Sequence, residues 1–147
     1  MSITVKEILS GKSTHLHTVT PGTSVYEALD LMARTDISAV LVLEGERLVG
    51  IFTERDYARK VALQGRNSKE SRIGDLMTQN LLTVSPSQDV DDVMAIMTEN
   101  RFRHLPVVDR GQLVGIVTIG DAVKAVIAEQ GQTIAQLSSY ISGEIAI

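Results

Sequence analysis

The sequence predicts a mixed α/β fold (α+β) in which two βαββα repeats pack with pseudo-twofold symmetry. Three observations predict it. Residues 19–61 align with residues 84–126 at an offset of 65 without a gap, and twelve of the 43 positions are identical. Each copy places a stretch of helical periodicity before two short β-rich runs. Aromatic residues make up only 3% of the chain and Trp is absent, so the core is left to Val, Ile, Leu, Met and Ala, which suit thin sheets packed on helices.

A lead segment precedes each copy: Val5-Lys-Glu-Ile-Leu-Ser10 resembles Ile73-Gly-Asp-Leu-Met-Thr78 at an offset of 68, so the first copy carries three extra residues around Gly11–His15. A short extended piece follows (Leu16–Thr20, Leu81–Ser85) and ends at Pro21 or Pro86, because proline fixes φ and drives its predecessor extended. The first helix of copy one opens on a Ser24/Glu27 capping box, with Val25, Ala28, Leu29 and Met32 on one face. In copy two Asp89 caps a helix whose inner face is Val90, Val93, Met94 and Met97. Two hairpins come next. Ala39–Leu43 and Leu48–Phe52 flank Glu44-Gly-Glu46, while Leu105–Val108 and Leu113–Val117 flank Asp109-Arg-Gly111. A second helix begins at Glu54 or Ile119. The polar run Gln64–Ser71 reads as a linker, and a final helix is expected near Ile134–Ile141. The resulting division is residues 1–66 for repeat one with its N-terminal segment, 67–130 for repeat two, and 131–147 for a helical tail. A repeat of about sixty residues has too small a core to stand comfortably alone. The two are therefore expected to form one globule with a ligand crevice between them.

Bulk properties narrow the function. The net charge of −4 argues against general nucleic-acid binding, which rests on basic surface. The absence of Cys removes disulfides, thiolate metal sites and a Cys nucleophile. No apolar run approaches a membrane span, and the N-terminus lacks a signal-peptide core, so a cytoplasmic location without membrane contact is expected. No Walker or GxGxxG loop is present. His15-x-His17 shares a strand face but has no third ligand in view, so neither a metal site nor catalytic residues are expected.

The sharpest motif is Gly-h-h-Thr-x-x-Asp (h apolar), which occurs as Gly50–Asp56 and Gly115–Asp121 at a strand-to-helix junction. Two readings fit it. Thr-x-x-Asp caps a helix, with the hydroxyl accepting from the third amide and the acid favoured in the first turn. The same geometry can present a carboxylate to the two hydroxyls of a ribose, with the helix amides favouring an anion. Cations lie near both motifs but differ between them: Arg55 stands inside the first motif, whereas Arg103-His104 precedes the second copy's first hairpin strand, where the first copy has Ser38-Ala39. Such a pair also suits a plain solvated strand edge.

Together, the two motifs, the Leu105-Pro-Val-Val-Asp109 strand, the Val-Thr/Ser-Pro strand starts and the ungapped repeat resemble the CBS domain family, named for cystathionine β-synthase, in its tandem stand-alone form, the Bateman module. The resemblance implies a regulatory, non-catalytic module that binds an adenine nucleotide (AMP, ADP or ATP, or else NAD(H) or S-adenosylmethionine) in clefts between the repeats. It implies ribose contacts from Asp56 and Asp121 and sugar or phosphate contacts from Thr53 and Thr118. Adenine would lie against Thr18, Val19, Thr20, Thr83, Val84, Ile51 and Ile116, and phosphate would meet Arg103, His104 and Arg55, beside Pro106. The first copy departs from the pattern, with Leu41 at the position of Pro106 and no basic pair. The family also implies a homodimer that signals to a downstream protein; the alternative is a ligand-free dimerisation or protein-interaction module.

Overall fold

The computed structural model describes residues 3–12 and 16–130; the expected tail helix and His15 lie outside them. The architecture is mixed α/β. A lead helix α1 (Val5–Ser10) precedes strand β1 (Thr18–Val19), helix α2 (Val25–Thr35) and the hairpin β2 (Ala39–Glu44)–β3 (Arg47–Thr53). Helix α3 (Glu54–Asp56) continues as a π-helical run over Tyr57–Ala62. The second series is α4 (Ile73–Leu76), α5 (Val90–Asn100), the hairpin β4 (His104–Asp109)–β5 (Gln112–Thr118) and α6 (Ile119–Gln130). The second copy's first strand is reduced to one parallel bridge, Val84 to Val107.

Local chemistry accounts for these boundaries. Ser24 and Asp89 each accept the amide three residues on, at 3.1 and 2.9 Å, and so cap α2 and α5. Both helices end on a left-handed residue, Asp36 and Arg101. The predicted inner faces are buried at Val25, Ala28, Met32, Val90, Val93 and Met97, with Leu29 and Met94 half-buried at their edges. The second hairpin turns through Arg110 and Gly111, both at positive φ, as a type I′ turn requires. In the first sheet β1 runs parallel and β3 antiparallel to the central β2, which puts Thr18, Leu41 and Ile51 in one row.

Packing groups the chain differently from the chain-order division at residue 66. Among the described residues, one compact unit comprises 3–12, 83–109 and 114–130; the other comprises 16–82 and 110–113. Each lead segment thus serves the opposite copy, through equivalent hydrogen bonds. Val5 N–H donates to the Gln88 carbonyl, Lys6 to Pro86, and Val90 to Ile3. In the other unit Ile73 donates to Thr23, Gly74 to Pro21, and Val25 to Ser71. These bonds occupy first-turn amides that a helix leaves without intrahelical partners. The leads also fill the cores. Val5 is buried with Val84, Val90 and Leu105, while Ile73 and Leu76 are buried with Val19, Val25 and Phe52. Full burial of each such side chain stabilises by about 1.5–3 kcal/mol.

Candidate functional site

The two Gly-h-h-Thr-x-x-Asp motifs fold as sharp corners from β3 into α3 and from β5 into α6. In the first corner Thr53 N–H donates to Asp56 Oδ2 at 3.0 Å, and Asp56 N–H donates to Thr53 Oγ1 at 3.0 Å, completing a capping box. The Thr53 hydroxyl also donates to Oδ2 at 3.1 Å. The second corner repeats the frame: Thr118 N–H donates to Asp121 Oδ2 at 2.9 Å, and Asp121 N–H donates to Thr118 Oγ1 at 3.1 Å. The capping reading is therefore true of both motifs, and it is the cap that holds each carboxylate in place.

The motif glycines admit the lead segments. A Cβ on Gly50 would overlap the Met77 side chain and come within 3.1 Å of the Thr78 carbonyl; a Cβ on Gly115 would come within 2.7 Å of Leu9 Cδ2. Through this close approach each lead delivers polar groups to a corner. The Thr78 backbone exchanges both hydrogen bonds with Ile51, at 3.0 and 2.8 Å, and the Thr78 hydroxyl donates to Asp56 Oδ1 at 3.1 Å. Lys60 pairs with the same Oδ1 at 3.1 Å and donates to the Leu76 carbonyl at 3.0 Å. At the second corner Lys12 donates to Asp121 Oδ2 at 2.6 Å and to the Ile116 carbonyl at 3.0 Å.

Both lysines and Thr78 lie outside the set of site residues read from the sequence. Lys60 had a signal there, the i,i+4 spacing from Asp56. Lys12 had none, because it lies 109 residues from Asp121 and within the extra residues of the first lead.

The remaining expected residues divide between the units. Thr18 is exposed on β1 beside buried Val19, and buried Ile51 lies in the same row as Thr18. Thr20 turns locally, its amide donating to Thr23 Oγ1 at 3.1 Å. Arg55 is exposed and forms no ion pair with a described carboxylate, so the structure does not bring it to Asp56. In the other unit Thr83 is exposed, Val84 is buried, and Val84 N–H donates to the carbonyl of buried Pro106 at 3.0 Å. Ile116 and Thr118 are half-buried on β5. Arg103 is exposed, and its carbonyl accepts from Ile119 N–H at 2.9 Å, which ties the basic pair to the start of α6.

The electrostatics of the second corner join these groups. Burial lowers the His104 pKa below 6.5, and the Arg103 and Lys12 charges lower it further against the opposing pull of Asp121. Burial raises the Asp121 pKa, but the hydrogen bonds from Lys12 and the Thr118 backbone, with the Lys12 charge, outweigh it and hold the carboxyl below 3.8. Lys12, Arg103, His104 and Asp121 thus form one interacting group. Asp121 Oδ2 carries two donors, while Oδ1 carries none from the described residues. Asp56 has donors on both oxygens. Among the described residues no cluster of metal-ligating side chains occurs, and no helix is long and apolar enough to cross a membrane.

Comparison with known proteins identifies the family. The family model of the CBS domain matches twice, over residues 5–63 and 73–128. The mitochondrial CBS domain-containing protein CBSX3 of Arabidopsis thaliana is 42% identical over 125 residues, which cover 82% of this chain and 61% of that protein's length. The solved structure of a protein with CBS domains from Burkholderia ambifaria is 51% identical, with a TM-score of 0.83, over 89% of this chain and 98% of the other. The structure of CBSX2 in complex with AMP is 31% identical, with a TM-score of 0.73, over 87% and 98% of the two chains. With two family matches, each covering a lead segment and the repeat that follows it, this chain belongs to the CBS domain family.

Proposed function

We propose that this chain is a non-catalytic regulatory module that binds an adenine nucleotide, and that the Thr118/Asp121 corner is its principal site. The observation that carries this reading is a caged carboxylate with one open oxygen beside three basic side chains. Oδ1 of Asp121 can accept a ribose hydroxyl, Lys12 and Arg103 supply the positive charge that a phosphate needs, and the His104 imidazole offers a further polar group beside them. The AMP complex of CBSX2 supports the choice of an adenine nucleotide, with AMP first among ADP, ATP, NAD(H) and S-adenosylmethionine. The Thr53/Asp56 corner is satisfied from within, and it serves as the weaker or structural half of the pair. The module self-associates as a homodimer and passes ligand occupancy to a downstream protein.

Titration calorimetry with AMP, ATP and NADH tests the reading. Saturable heat is expected with AMP, weakened far more by Asp121→Ala than by Lys69→Ala, whose ammonium lies over the exposed Tyr26 ring. Thermal unfolding of both variants separates lost binding from lost folding, and AMP should raise the melting temperature of the unmodified protein. The absence of heat from any of the three at millimolar concentration, with folded protein, would sink the reading in favour of a ligand-free interaction module.

A further inference from the structure

Asp121 has a competitor for its ligand. A ribose diol donates one hydroxyl to each carboxylate oxygen, but Oδ2 already accepts the Thr118 amide and the Lys12 ammonium. The amide is fixed by the helix cap and cannot withdraw. The ammonium can: the Lys12 side chain is 29% exposed, it follows the short α1 and Gly11, and it keeps a second acceptor in the Ile116 carbonyl. Once displaced from its carboxylate oxygen, the Lys12 ammonium loses its direct ion pair and stands beside Arg103 and His104. Parting a partly buried cation from its ion-pair partner is costly. A phosphate on the incoming ligand removes that cost, and an unphosphorylated nucleoside does not.

Building on the nucleotide reading of this corner, we propose that Lys12 is its specificity-determining residue, paired with Asp121 in the empty site and transferred to the ligand phosphate when ribose takes the carboxylate, so that nucleotides are selected over nucleosides. The first corner lacks this device. Lys60 is one helical turn from Asp56 and is also tied to the Leu76 carbonyl, and the hydroxyl of Thr78 holds the same carboxylate oxygen.

The test is calorimetry of AMP and adenosine against the unmodified protein, Lys12→Met and Lys12→Arg. Methionine keeps the apolar stem, and thermal unfolding checks that both variants fold. Lys12→Met should weaken AMP by about tenfold or more, the worth of one charge-assisted bond. It should leave adenosine affinity equal or higher, because a competitor for Asp121 is gone, and Lys12→Arg should restore most of the AMP preference. Equal weakening of AMP and adenosine would reduce Lys12 to a structural role, and unchanged affinities would place it outside the site; either result overturns the inference while the nucleotide reading stands. If the unmodified protein binds neither compound, the nucleotide reading itself fails and takes the inference with it.

Discussion

The two corners share a frame and differ in how they are closed. Each has a Thr hydroxyl capping the Asp amide and a Thr amide holding Oδ2. The differences come from the lead segments. The second lead leaves its helix after Leu76, so Thr78 runs extended beside β3 and places its hydroxyl on Asp56. The first lead stays helical through Ser10, the residue equivalent to Thr78, whose hydroxyl donates back to the Lys6 and Glu7 carbonyls at 3.0 and 3.1 Å. With no side chain from that position on Asp121, Lys12 takes the place instead. The duplicated motif thus keeps one form in both copies, and the contacts made to it diverge in the segments that pack against it.

The largest effect expected from breaking this comparison is at the motif glycines. Gly50→Ala forces a methyl group against the Met77 side chain and the carbonyl of Thr78, whose backbone exchanges two hydrogen bonds with Ile51. A cost of about 1–3 kcal/mol follows from overpacking. Gly115→Ala meets first the Leu9 side chain, whose methyl groups can shift where a backbone carbonyl cannot, so a smaller loss is expected. Urea denaturation of both variants measures the difference, and equal losses would mean that the two leads are held equally tightly. The caps come next. Thr53→Ala and Thr118→Ala should each cost about 1 kcal/mol. The loss should be somewhat greater at Thr53, whose hydroxyl also donates to Asp56. A cost confined to one of them would show that the shared frame is not energetically shared.

How much of this was legible in the sequence follows from the range of each interaction. The repeat, the helix starts at Glu54 and Ile119 and the Thr-x-x-Asp caps were readable because they are ungapped or span three residues. Lys60 was readable in principle from its i,i+4 spacing to Asp56. The service of each lead to the opposite copy was not legible: the bond from Val90 to Ile3 joins segments whose sequences carry no periodic sign of one another. Lys12 was hidden for the same reason. Arg55 drew attention because it lies inside a motif, yet its position in the first turn of α3 leaves it exposed.

The smallest predicted effect isolates the second corner by pH. His104 stands where the first copy has Ala39, so the titration has no counterpart in that copy. Burial and the Arg103 and Lys12 charges hold its folded pKa below the 6.5 of the unfolded chain. As pH falls through 6.5 the unfolded chain takes up a proton that the folded protein resists, so stability falls with it. Above 6.5 the imidazole is neutral in both states and this contribution is fully retained. Asp121 does not confuse that window, because its folded pKa lies below 3.8 and its pairing is lost only in stronger acid. Urea midpoints at pH 7.5 and 5.5 should therefore fall further for the unmodified protein than for His104→Gln. Equal falls would detach His104 from the group formed with Lys12 and Asp121.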